Sequence, residues 1–410
     1  MKDLRTTLDG LGRHFEKGGR LHKLYPLWEA ADTFFYAPGT RTRGGAHVRD
    51  ALDLKRMMMI VVIATIPCVL MALWNTGYQA NLALDPARVG ELPGWRHAVI
   101  RWLGTGYSPD SLLANVVHGA MYFVPMYVVT MVVGLAWEVG FAIVRRVEVN
   151  EGFFVTGMLF PLILPPTTPL WMVALGISFG VVFAKELFGG TGMNFVNPAL
   201  AARAFLFFAY PAFLSGDVVW TAALPGFTVD GYSGATLLAE WRHMEGAFAA
   251  QGHDFWRAFL GVEPGSMGET SALACLVGAA ILVATGVGSW RIMAGCALGT
   301  IAMASLFNAV GPASNPYYAV PFWWHMVAGG WAFAVAFMAT DPVTAPFTDR
   351  GRWIYGAGIG AMIVLIRVVN PAYPESAMLV ILFMNVVAPI IDYAMVRRNI
   401  RARARRRAKA

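Results

Sequence analysis

Three acidic residues, Glu138, Asp341 and Asp392, fall within or at the ends of apolar stretches of this 410-residue chain. A charge at the centre of a membrane helix costs about 2.5–3.5 kcal/mol on insertion scales, so acids in such places are informative. Carboxylates near carbonyls and hydroxyls suit a hard monovalent cation or a proton relay. Glu138 sits inside its segment after Trp137, whereas Asp341 and Asp392 stand near segment ends, where simple solvation is the other reading. Two polar runs offer different chemistry. In Asp230-Gly231-Tyr232-Ser233-Gly234-Ala235-Thr236 the glycines permit a turn that leaves the hydroxyls of Ser233 and Thr236 open to a modifying enzyme. In residues 189–199 (Gly-Gly-Thr-Gly-Met-Asn-Phe-Val-Asn-Pro-Ala) a glycine-rich turn precedes a helix, without the lysine or strand context of a nucleotide-binding loop. The amides of Asn194 and Asn197 each donate and accept, and could read a neutral heterocycle such as an isoalloxazine edge. Equally, Asn197 could cap a helix begun by Pro198.

Other residue types carry less. The eight histidines show no metal-binding spacing, and His118 and His325 read as hydrogen-bonded packing residues. Cys68, Cys275 and Cys296 lie in apolar runs and build no disulfide framework, zinc site or iron–sulfur cluster. Trp220, Trp241 and Trp256 surround the 230–236 run and could stack on a flat ring or form an interfacial aromatic belt.

The elements that must position these residues are membrane helices. Hydrophobic residues make up 57% of the chain and charged ones 14%, against about 25% charged in soluble domains. The expected fold class is therefore an all-α polytopic membrane protein. Spans of about 20 apolar residues are expected near 57–75, 113–143, 153–167, 170–188, 198–214, 270–288, 291–309, 319–340, 352–369 and 375–395, ten in all. Residues 1–55 form an N-terminal segment with two aromatic-rich runs and no signal-peptide pattern. A first set of five spans covers 56–214, an outer-face connection 215–269, a second set of five spans 270–396, and a basic tail 397–410. Arg145, Arg146, Lys185, Arg291, Arg350 and Arg352 fall on the side of both termini, which places the termini in the cytoplasm and residues 215–269 outside. Directly after a span, the arginine tail reads as a topology signal that touches anionic lipid heads, with no nucleic-acid partner expected.

The spans repeat. Gly152-Phe153, Pro165-Pro166, Trp171, Gly176 and Asn197-Pro198-Ala199 are answered by Gly330-Trp331, Asp341-Pro342, Trp353, Gly358 and Asn370-Pro371-Ala372. Copies five spans apart run in opposite senses, the inverted-repeat plan of many transporters, with a site between the halves.

Seven runs together resemble the B subunit of the sodium-translocating NADH:quinone oxidoreductases. They are Leu24-Tyr25-Pro26-Leu27-Trp28-Glu29-Ala30, Phe34-Phe35-Tyr36-Ala37-Pro38-Gly39, Trp137-Glu138-Val139, Val149-Asn150-Glu151-Gly152-Phe153, residues 189–199, residues 230–236, and Gly265-Ser266-Met267-Gly268-Glu269-Thr270-Ser271. The resemblance implies FMN joined through its phosphate to Thr236 by a flavin transferase that recognises Asp230, Ser233 and Gly234. It implies a non-covalent riboflavin near Asn194 and Asn197, and ubiquinone reduction at a cytoplasmic-side pocket walled by Gly134. In the family a glycine pair precedes the Trp-Glu; here it is Gly134-Leu135. Glu138, Asp341 and Asp392 match acids associated there with sodium translocation. The implied setting is a multi-subunit complex in the bacterial inner membrane. Its partners would be an NADH-oxidising flavin and iron–sulfur subunit and a second covalent-flavin subunit, since this chain has neither cluster ligands nor a dinucleotide fingerprint. The alternatives are the paralogous D-type component of a ferredoxin:NAD oxidoreductase, which shares the flavin motif but lacks this N-terminal segment, and a non-redox small-solute transporter.

Overall fold

The structure is a computed structural model that describes residues 54–147, 152–242, 254–311, 315–370 and 376–408, with Phe248 and a few positions between 12 and 28. The runs at 34–39 and 149–151, and Pro371 and Ala372 of the second repeat, lie outside the described residues, as do 1–11 and 409–410. From the first aromatic run Tyr25 and Trp28 are described, their rings 5.7 Å apart.

Among the described residues every regular element is helical, apart from one isolated bridge between Leu84 and Thr228. Ten elements follow the apolar segments: α1 Leu54–Ala83, α2 Leu112–Arg145, α3 Phe153–Leu162, α4 Leu170–Ala184, α5 Pro198–Ala209, α6 Ala272–Ala284, α7 Trp290–Val310, α8 Trp331–Phe333 with its π-helical continuation Ala334–Met338, α9 Asp349–Val369 and α10 Ala377–Arg407. Six of them, α1, α2, α4, α7, α9 and α10, are long and apolar enough to cross a membrane, α4 counted through its last turn to Phe188. α3, α5 and α6 are shorter apolar helices.

Local chemistry explains the short ones. α3 ends where Pro165 and Pro166 remove backbone donors, and α8 ends ahead of Pro342. α5 starts at Asn197, whose Oδ1 accepts from the amides of Ala199 and Leu200 at 3.0 and 3.2 Å, with Pro198 at its first position. The span expected at 319–340 is divided. A 3₁₀ turn Pro316–Ala319 and a helix Phe322–Val327 precede Gly329 and Gly330, both in the left-handed region (φ +64° and +68°), before α8 begins. Pro316, Pro321 and the glycine pair make these breaks, which a hydropathy window passes over. The basic tail is a helical extension of α10 as far as Arg407, in keeping with the helix propensity of alanine and arginine.

The halves share a packing scheme. α2 packs on α4 as α7 does on α9, and α4 on α5 as α9 does on α10. α1 and α5 each contact α3, as α6 and α10 contact α8. Across the seam α1 meets α6 and α5 meets α10, pairs that a two-fold relation maps onto themselves. One pairing departs: α1 and α2 pack along their length, whereas α6 and α7 barely touch. Small residues set the closest seams. Side chains on Gly77 or Gly119 would strike the backbone between α1 and α2, and Gly295, Gly299, Gly356 and Gly360 play the same part between α7 and α9.

The described residues of 215–269 are tied to one end of this bundle. Met267 and Gly268 donate to the carbonyls of Leu164 and Leu162 at 3.2 and 2.7 Å, Thr167 donates to the Val219 carbonyl at 2.8 Å, and Asn75 donates to the Glu263 carbonyl at 2.9 Å.

Candidate functional site

At that end the 230–236 run forms a turn through Gly231 and Gly234, both at positive φ (+78° and +68°). A side chain on Gly234 would meet the Asp217 carbonyl at 3.0 Å, so the position needs glycine for space as well as for conformation. Tyr232 pins the turn through its hydroxyl, 2.8 Å from Thr221 Oγ1, and burial holds the phenol above its usual range. Asp230 and Ser233 are exposed or partly so, and Ser233 Oγ accepts from the Ala235 amide at 3.4 Å. Thr236 is half-buried at the head of the short helix Leu237–Arg242, where its Oγ1 accepts from the Ala239 amide at 3.3 Å.

Thr236 opens on a cleft of about 510 Å³ shared with Glu263, Ser266, Glu269, Gly329 and Gly330. A wider adjoining cleft holds Gly231, Ser233, Glu240, Asp254, Arg257 and again Glu263. Glu269 faces Arg203 at 3.5 Å. Burial pushes Glu263 up to about 7, helped by Glu240 and Asp254 and opposed by Arg257. What suits Thr236 to a phosphoester is a half-buried hydroxyl facing an open cleft, with Glu263 and Glu269 as the charged side chains that line it. Leu238 and the Glu269 carboxylate pack directly on Gly329 and Gly330, and Arg257 offers a guanidinium in the adjoining cleft. The tryptophans serve less well as a stacking platform than their positions in the sequence suggest. Trp241 is fully buried among Phe248, Tyr317 and Trp324, and Trp220 is buried too, which leaves Trp256 exposed.

A second cleft, of about 680 Å³, lies between the halves. Gly152, Lys185, Thr191, Asn194 and Asn197 line it from one half, and Phe337, Thr340 and Asp341 from the other. Met58 lines this cleft and Gln79 the wider outer one, and both stand on α1, so at 1.5 Å per residue the clefts are roughly 30 Å apart. That is about the thickness of a bilayer's hydrocarbon core. The two asparagines and Asp341, far apart in sequence, thus share one inner cleft. Asn197 spends its Oδ1 on capping α5, and its Nδ2 faces Met338 Sδ at 3.7 Å; Asn194 donates to the Val196 carbonyl at 3.1 Å. Thr191 Oγ1 is buried with no hydrogen-bond partner among the described residues. An orphaned hydroxyl beside carboxamides fits a polar, uncharged heterocycle.

The three acids do not converge. Asp341 lines the inner cleft and accepts from the Val343 amide and Thr344 Oγ1, each at 3.1 Å. Glu138 is buried on α2 and accepts from Lys185 Nζ, the lysine being buried as well. Asp392 lies elsewhere on α10 and braces the loop before α9, accepting from the amides of Phe347 and Thr348 at 2.7 and 3.1 Å. Gly134 is buried against Phe153, whose ring centre is 5.9 Å from Lys185 Nζ. Lys185, which sequence reasoning treats only as a topology signal, is the buried partner of Glu138 and a residue of the inner cleft. Its one sequence cue is a lysine set between an apolar segment and a glycine-rich run.

Residues 41–401 match the family described as NQR2, RnfD, RnfE. The B subunit of the Na(+)-translocating NADH-quinone reductase of Pseudomonas paraeruginosa (strain PA7) is 57% identical over 407 residues, 98% of this chain and 99% of the relative. Proteins of the same name from Azotobacter vinelandii and Stutzerimonas stutzeri are 55% and 54% identical, each over 98% of this chain and 99% of its own length.

Proposed function

The chain belongs to the NQR2, RnfD, RnfE family, and from that premise we propose that it is the B-type membrane subunit of a pump that uses electron flow from NADH to ubiquinone to export sodium. The observation that carries this reading is the pair of clefts at opposite ends of one helical bundle. Thr236 stands at one, and Asn194, Asn197 and Asp341 stand together at the other. The full-length likeness to proteins named as B subunits favours this over a D-type ferredoxin-linked component or a non-redox transporter.

Thr236 Oγ1 carries FMN as a phosphoester in the cleft it opens on, with Arg257 of the adjoining cleft meeting its charge. Asp230, Ser233 and Gly234 shape the exposed turn that the flavin transferase reads. Asn194, Asn197 and Thr191 hold riboflavin in the inner cleft by hydrogen bonds to its polar edge. Bound flavins supply the electron transfer, while the protein supplies position and electrostatics. Gly134 and Phe153 form part of a quinone-side wall on α2 and α3. Glu138 and Asp341 hold sodium on its way through the seam, and Asp392 secures the loop that follows Asp341. NADH oxidation belongs to a flavin and iron–sulfur partner, and a second covalent-flavin subunit completes the chain of carriers. Both termini lie on the cytoplasmic side of the bacterial inner membrane.

Flavin fluorescence of the band on a denaturing gel tests the reading. With the transferase present, the wild-type chain is expected to fluoresce and Thr236→Val to be dark. A dark wild-type band, or undiminished fluorescence in Thr236→Val, would rule it out.

A further inference from the structure

Lys185 ends α4 and donates to Glu138 on α2, both side chains 4% exposed. The other acid at this level, Glu186, is matched by Arg145 at 2.8 Å, so Lys185 is left to Glu138. Among the described residues lining the inner cleft, the charged ones are Lys185 and Asp341. Asp341 has no basic partner among the described residues. With the lysine on Glu138, Asp341 is therefore the carboxyl of the cleft that lacks a basic partner and is open to a cation. A buried carboxylate already matched by an ammonium gains little from a second cation of the same charge, so the Glu138 site holds one or the other. Lysine suits such an exchange, being a point charge on a flexible four-carbon stem, unlike an arginine fork fixed to its partner. The Phe153 ring, 5.9 Å from Nζ, lies within range of a cation–π contact with the ammonium.

We propose that Lys185 is a tethered competitor of the transported cation, neutralising Glu138 while that site is empty and turning across the cleft toward Asp341 when sodium takes the Glu138 carboxylate. The charge balance closes at both ends. Before exchange Asp341 is matched by the incoming sodium; after it, sodium matches Glu138 and the ammonium matches Asp341. The proposal rests on the reading of Glu138 as part of the sodium path.

The test uses the purified complex with Lys185→Met and Lys185→Arg, and two readouts. One is the rate at which dicyclohexylcarbodiimide labels Glu138, followed by peptide mass with and without sodium. The other is the sodium concentration giving half-maximal quinone reduction. Lys185→Met is expected to label Glu138 at least tenfold faster than wild type, with sodium protecting it, and to lower the half-saturating sodium about tenfold. Lys185→Arg keeps the charge but holds Glu138 more firmly, and is expected to raise half-saturating sodium at least tenfold; it carries the test if the methionine variant fails to assemble. Wild-type labelling and sodium dependence in both variants, with Glu138→Gln still raising the sodium requirement, overturns the lysine's role and leaves the sodium path intact. Fast labelling in Lys185→Met that sodium does not slow overturns the sodium path itself, and the proposal with it.

Discussion

Phe153 occupies the space that a side chain on Gly134 would need: a Cβ built there would stand 3.0 Å from Phe153 Cε1, with two other ring atoms nearer still. The same ring lies beside Lys185, so a disturbance at Gly134 reaches the Lys185–Glu138 pair through one residue. Overpacking of this kind typically costs about 1–3 kcal/mol. Gly134→Val is expected to lower kcat/KM for quinone tenfold or more and to change the sodium requirement, while covalent flavin content stays at the wild-type level. Steady-state kinetics at varied quinone and sodium, with in-gel fluorescence as the control, check this.

The seam between α7 and α9 makes a prediction about stability alone. Side chains on Gly299 or Gly360 would meet the backbone of the facing helix, whereas Gly140 has nothing within 4 Å. Gly299→Leu or Gly360→Ile should lower the thermal midpoint in detergent by several degrees or prevent accumulation. Gly140→Ala should leave the midpoint unchanged or slightly raised.

Glu263 gives residues 254–270 a pH dependence whose sign is fixed. Its carboxyl is held up to about 7 from an ordinary 4.5, mainly by burial, so the folded protein binds this proton more tightly than the unfolded chain does. Its contribution to stability is complete below about pH 4.5 and is lost as pH rises to about 7. Glu263→Gln should therefore stabilise residues 254–270 at pH 8 and flatten their pH response between 5 and 8. Hydrogen exchange measured across that range reads the effect; an unchanged slope in the variant would contradict it.

Asp341 and Asp392 should separate by phenotype. Asp341→Asn removes the cleft's anion and is expected to raise half-saturating sodium tenfold or more with little change in the thermal midpoint. Asp392→Ala strips the acceptors from Phe347 and Thr348 and should cost on the order of 1–3 kcal/mol, read as a lower midpoint.

Legibility in the sequence differs by residue. The apolar runs locate the elements α1 to α10, six of them long and apolar enough to cross a membrane, because a membrane helix must satisfy its own backbone and its sequence says so. The cap at Asn197 is one of two readings its sequence allows, and the amides of Ala199 and Leu200 show it formed. The division of the 319–340 segment is written in Pro316, Pro321, Gly329 and Gly330, yet averaged hydropathy hides single residues. The partners of buried charges are not legible at all. Lys185 lies 47 positions from Glu138, and only the packing of α4 on α2 brings them together. Trp241 cannot be told from an interfacial belt residue either, since its burial depends on Tyr317 and Trp324 arriving from another part of the chain.

The redox reading requires a flavin on Thr236, at the end of the bundle opposite the inner cleft. Mass mapping of the tryptic peptide 204–242, from cells that contain the flavin transferase, decides it. A mass increase of one FMN less one water is expected, with fragment ions placing it on Thr236 and none on the peptide from Thr236→Val. An unmodified wild-type peptide, or the same increase placed on Ser233, would contradict the assignment.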